Sequence, residues 1–147
     1  MAAITLAQAS TVVDRALAKG RETGCAPLTV AVLDPGGHLV ALKREDNSGL
    51  LRPQIALGKA WGALGMGFPS RELARRAATN ATFYGVLSDM SGGRVVPVPG
   101  GVLIRDSAGT LVGAVGISGD TADKDEVCAV AGVEAAGLAA DIGGKPA

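Results

Sequence analysis

The stretch L-T-V-A-V-L-D-P-G-G-H-L-V-A-L-K-R, residues 28–44, restricts the architecture more than any other segment. Two runs rich in β-formers flank Asp34-Pro35-Gly36-Gly37, where proline presets φ and glycine permits positive φ, so the segment reads as a hairpin. Neighbouring side chains in a strand point to opposite faces. Here both alternating sets are apolar: Val30 and Val32 against Ala31 and Leu33, then Val40 and Leu42 against Leu39 and Ala41. Both faces of the sheet are therefore expected to be covered, by helices or by another subunit.

The remaining segments supply those layers. Thr5-Leu-Ala-Gln8 reads as a capping box opening a helix over about 6–23, with an apolar stripe from Leu6 through Ala9, Val13, Ala16 and Leu17 to Gly20. Pro53 suits a first helical position and predicts a small-residue helix ending at Gly67. Ser70 is expected to cap a shorter helix, S-R-E-L-A-R-R-A-A-T-N-A-T-F-Y-G-V-L. Three strands are expected in R-V-V-P-V (94–98), G-G-V-L-I-R-D (100–106) and G-T-L-V-G-A-V-G-I-S (109–118), before a last helix that opens at Asp120-Thr121 and runs on to Gly143. The order α-β-β-α-α-β-β-β-α predicts an α+β fold with a five-stranded, mainly antiparallel sheet between helical layers, in one domain over 1–147.

Composition narrows the function. Lys plus Arg and Asp plus Glu both number 14, leaving no basic excess for a phosphate backbone, and only four aromatic residues are available for stacking on bases, so no nucleic-acid partner is expected. Apolar runs break well before 18 residues, so no membrane partner is expected. Cys25 and Cys128 lack metal spacing and the first residues lack the pattern of a secretory signal, so the expected compartment is the cytoplasm.

Three groups could carry chemistry. Arg52 precedes Pro53 and places a cation at the positive end of a helix dipole, a cost that a bound anion would offset. Lys59, seven residues on, shares its helical stripe, so Arg52 and Lys59 could hold a small carboxylate. The glycines of G-A-V-G-I-S-G-D have the wrong spacing for a dinucleotide fingerprint, and Asp120, Asp123, Asp125 and Glu126 would repel a phosphate. Those acids complement a helix N-terminus, and Asp120, Asp123 and Glu126 are also the candidate ligands for magnesium or calcium. Third, His38 is the only histidine; alternation places it with Val40, Leu42 and Arg44, so His38 and Arg44 would join Lys59 if that face lies under the same helix.

Taken together, D-P-G-G-H-L-V-A at 34–41, Arg44 with Asp46, I-A-x-x-K-A at 55–60, P-G-G-V at 99–102 and the G-A-V-G-I-S-G run to Gly119, followed by Asp125-Glu126, resemble the GlcG/HbpS family, also called DUF336. The resemblance spans nearly the whole chain. It implies a profilin-like α-β-α domain, a homo-oligomer, and haem as the candidate cofactor, since the family name comes from haem-binding members sometimes called haem-degrading. His38 is then the first candidate axial ligand, with Tyr84, Met66, Met90 or a cysteine as less common ones.

Three readings of function follow. The first is a small-molecule binding protein whose ligand, a haem or other tetrapyrrole or a small organic acid, is held by Arg52, Lys59, His38 and Arg44. The second is an enzyme acting on a small carboxylated metabolite, with His38 and Lys59 as catalytic candidates. The third is a structural oligomer component, suggested by the ridges of small residues on the helices from Pro53 and Val127.

Overall fold

A computed structural model describes residues 2–143. In chain order the elements are α1 (Leu6–Glu22), β1 (Thr29–Leu33), β2 (Leu39–Arg44), α2 (Arg52–Met66), α3 (Ser70–Ala77), α4 (Ala81–Met90), β3 (Gly101–Arg105), β4 (Leu111–Ser118), α5 (Ala122–Ala135) and β5 (Ala139–Asp141). The strands form one sheet in the order β2-β1-β4-β3-β5, every neighbouring pair antiparallel. This is the α+β, five-stranded arrangement expected from the sequence. Among the described residues no helix is long and apolar enough to cross a membrane.

Each layer follows from local chemistry. The capping box is present at the start of α1: Gln8 N–H donates to Thr5 Oγ1 at 3.1 Å and Thr5 N–H donates to Gln8 Oε1 at 3.0 Å. The buried face of α1, with Val12, Val13 and Ala16, lies with α5 on one side of the sheet, where Val30, Val32, Val102, Ile104, Val115 and Ile117 meet it. On the other side α2 packs Ala60 and Ala63 against Leu33, Leu103 and Ala114. The approach is close enough to demand glycine: a Cβ on Gly116 would lie 1.9 Å from the Ala56 carbonyl oxygen, and one on Gly132 would lie 2.4 Å from that of Val12. The small-residue ridges of α2 and α5 are thus consumed inside the fold, which removes the sequence argument that they serve an assembly.

The element order departs from expectation in three places. Residues 94–98 form no strand; Pro97 and Pro99 cannot donate to a sheet ladder, and the segment instead crosses α2, with Val96 N–H donating to the Gly58 carbonyl. The fifth strand comes from residues expected in the last helix. Gly137, at φ 75°, ends α5 in the left-handed conformation and releases Ala139–Asp141 to pair with β3. The helix expected from Ser70 breaks between Ala77 and Ala81, around Asn80 at φ −149° and ψ 50°, giving α3 and α4. Ser70 caps neither: Pro69 holds the N-cap position, and Ser70 Oγ accepts from Gly101 N–H at 2.6 Å, fastening α3 to β3.

β2 also corrects the reading of the hairpin. β1 is buried at every position, whereas β2 is an edge strand whose residues are half-buried or exposed. A register shift between Val32 and Leu33 pairs Val32 with Ala41 but Leu33 with Leu39, so Val40 is the extra residue of a bulge. Simple alternation from His38 to Arg44 is therefore broken.

Candidate functional site

The cations expected to bind a carboxylate are gathered at one end of the sheet, but mostly spent on protein oxygens. Lys59 lies under α2 with only 2% of its surface exposed. Its Nζ donates to the Ile117 carbonyl at 2.8 Å and to Asp125 Oδ2 at 3.1 Å. Asp125 Oδ1 in turn accepts from Asp120 N–H at 3.0 Å. Burial pushes the Lys59 ammonium pKa down and that of the Asp125 carboxyl up, and each partner opposes the other's shift. Gly100, at φ 119°, brings the backbone against this lysine; a Cβ there would sit 2.9 Å from Nζ. Half-buried Arg52 donates to Ser118 Oγ at 3.0 Å, and Arg44 donates to the Ser48 carbonyl at 2.7 Å. The result is a lock joining α2, β4 and α5, with Lys59 closed to a ligand.

His38 is elsewhere. It precedes β2 at the turn, its side chain 80% exposed, with Nδ1 3.1 Å from Asp34 Oδ1. Lys59 is bonded at Ile117, which pairs with Val30, whereas the turn adjoins Leu33, paired with Ala114. Those positions are three residues apart along β4, about 10 Å. Arg44 and Lys59 thus share an end of the sheet, and His38 does not join them.

The acidic residues diverge as well. Asp120 Oδ2 accepts from Ala26 N–H at 2.7 Å, while Asp123 and Glu126 both receive Arg71, whose Nε is 2.9 Å from Glu126 Oε2. Among the described residues no three histidine, cysteine or acidic side chains converge as a metal site would require. Arg71 thereby ties α3 to α5. The thiols of Cys25 and Cys128 are buried 4.0 Å apart, and burial pushes that of Cys128 up to about 12.

A cleft of about 460 Å³ opens on the flank of α2, in the size range of small-molecule sites. Gln54, Leu57, Gly58 and Trp61 line it from one helical face, because positions three, four and seven apart coincide there. Leu33 and Leu39 form the opposite wall. The hairpin turn closes one side: Gly37 lies so near that a Cβ would be 3.1 Å from Trp61 Nε1. Gly92 and Gly93, at φ 72° and 81°, form the other side and deliver Arg94, whose guanidinium carbon stands 4.2 Å from the centre of the Trp61 ring. An exposed stack of this kind is worth about 0.5 to 1 kcal/mol, so a ligand can displace it at small cost. His38 does not itself line the cleft; it lies between the lining residues Gly37 and Leu39 in sequence, and its ring is turned to Asp34. The Asp34 carboxylate also accepts the backbone N–H groups of His38 and Gly36, which holds its pKa below the ordinary value. Sequence reading missed Arg94. The signal available was the Gly-Gly pair before it and the recurrence of Gln54, Leu57 and Trp61 at helical spacing.

An antiparallel sheet between helical layers, with an apolar cleft on one helix flank, defines a class of small α-β-α domain. The chain belongs to the HbpS-like family: the model of that family, described as "Haem degrading protein HbpS-like", matches residues 4–134. It is 30% identical over 129 residues to a Citrobacter freundii protein described as an uncharacterized 15.0 kDa protein in the dhaT-dhaS intergenic region, covering 88% of this chain and 89% of that one. Among solved structures, PduOC in complex with haem aligns with a TM-score of 0.84 at 25% identity, covering 95% of this chain and 99% of the other. HbpS of Streptomyces reticuli, as a double mutant, aligns at 0.79 and 28% identity, covering 91% and 87%.

Proposed function

We propose that this chain binds a small planar molecule, a haem or related tetrapyrrole, in the cleft beside α2, with His38 as the side chain that would ligate its metal. The observation that carries the reading is the cleft itself: leucine walls and one indole, with the chain's only histidine between two of the lining residues in sequence. Haem needs apolar walls, which the leucines and Trp61 supply, and a ligating side chain, for which His38 beside Gly37 and Leu39 is the candidate. With Nδ1 directed at the Asp34 carboxylate, His38 keeps Nε2 for a metal, the arrangement in which a carboxylate orients a ligating imidazole. Membership of the HbpS-like family and the likeness to a haem complex support the same ligand class.

A small organic acid held by Arg52 and Lys59 is disfavoured, because Lys59 is buried and bonded to Ile117 and Asp125. Titration with hemin, followed in the Soret band for the wild type and His38→Ala, tests the proposal. A sharpened, shifted band in the wild type that is lost in the variant is the expected result; the same featureless spectrum from both proteins would refute ligation by His38.

A further inference from the structure

Among the described residues lining the cleft, Arg94 is the only charged one. We infer that Arg94 selects for a carboxylate on the ligand: its guanidinium leaves the Trp61 face when a planar ring stacks there, and closes on a carboxylate carried by that ring. This inference rests on the ligand reading above and adds the chemical class, a planar ring bearing at least one carboxylate.

Four features support it. The backbone is fastened, its N–H donating to Ser91 Oγ at 3.1 Å, and the guanidinium can turn about Nε, which donates to the Ser91 carbonyl at 2.7 Å. Among the described residues the two terminal nitrogens have no hydrogen-bond partner, so the end of the fork that grips a carboxylate is available. The indole face now covered by the guanidinium is also the aromatic surface on which a ligand ring would stack, so the two are exchangeable occupants of one place. Finally, no carboxylate among the described residues lines the cleft to compete for the cation.

Hemin and hemin dimethyl ester share the ring and differ at the two acid groups, which only hemin can ionise. Trp61 is the single tryptophan, so quenching of its fluorescence reports either compound in the cleft. The wild type should favour the acid over the ester by about tenfold, the effect of one exposed charge-assisted pair. Arg94→Gln should bring that ratio to about one by weakening the acid and not the ester, and Arg94→Lys should restore part of the preference. An unchanged ratio in Arg94→Gln, or an equal loss of acid and ester, would overturn the assignment. If the wild type quenches with neither compound, the ligand reading itself fails, and the role of Arg94 with it.

Discussion

The two sides of α2 treat charge in opposite ways. Beneath the helix, Lys59 and Asp125 are buried and bonded to each other and to backbone groups; on its flank, Arg94 and His38 are exposed and only partly engaged. Removing either member of the buried pair would leave an uncompensated charge in an apolar interior, so its partners hold it to a structural duty. On the flank, groups keep unused donors or a free ring nitrogen beside an apolar wall. Saturated charge holds the fold, and the proposed ligand site is where charge beside a cavity stays unsaturated.

Breaking the buried pair should have the largest effect. Lys59→Met strands the Asp125 carboxylate and should cost about 3 to 5 kcal/mol in urea unfolding, whereas Lys59→Met with Asp125→Leu should recover most of it. Hemin binding by the folded fraction should survive in both. A smaller loss, about 1 to 3 kcal/mol and occasionally more, is expected for Gly116→Ala, whose Cβ would collide with the Ala56 carbonyl; thermal unfolding measures it.

On the flank the effects should appear in binding. Asp34→Asn weakens the acceptor that orients His38 and should reduce hemin affinity about tenfold, with unfolding nearly unchanged. The smallest effect concerns the thiols. With Cys128 pushed up to about 12 and both sulfurs buried, neither should react with a disulfide reagent at pH 8 until the protein unfolds. Rapid labelling of the native protein would show that α1 and α5 separate more readily than their packing implies.

The difference between the two regions also explains what was legible in the sequence. The helices and the hairpin rest on local signals, the Thr5–Gln8 capping box, Pro53 and the Pro35-Gly36-Gly37 turn, and these were readable. The bulge at Val40 was not, because it depends on how β2 meets β1, and it undid the alternation that placed His38 with Arg44. Arg52 and Lys59 were correctly placed near one another, but burial depends on tertiary packing: Gly100, Ile117 and Asp125 enclose Lys59 from segments distant in the chain. The approach of Arg94 to Trp61, from a loop 33 residues further along, had no pairwise signal at all.

The most direct test of the cleft as the ligand site is fluorescence of Trp61 during hemin titration, corrected for absorbed light, in the wild type and in Leu39→Asp. Leu39 lines the cleft and is already half exposed, so an acidic group there changes the wall without emptying the core. Saturable quenching at one equivalent in the wild type, weakened at least tenfold in Leu39→Asp, is the predicted result. Quenching that rises without saturation, or is the same in both proteins, would contradict the account.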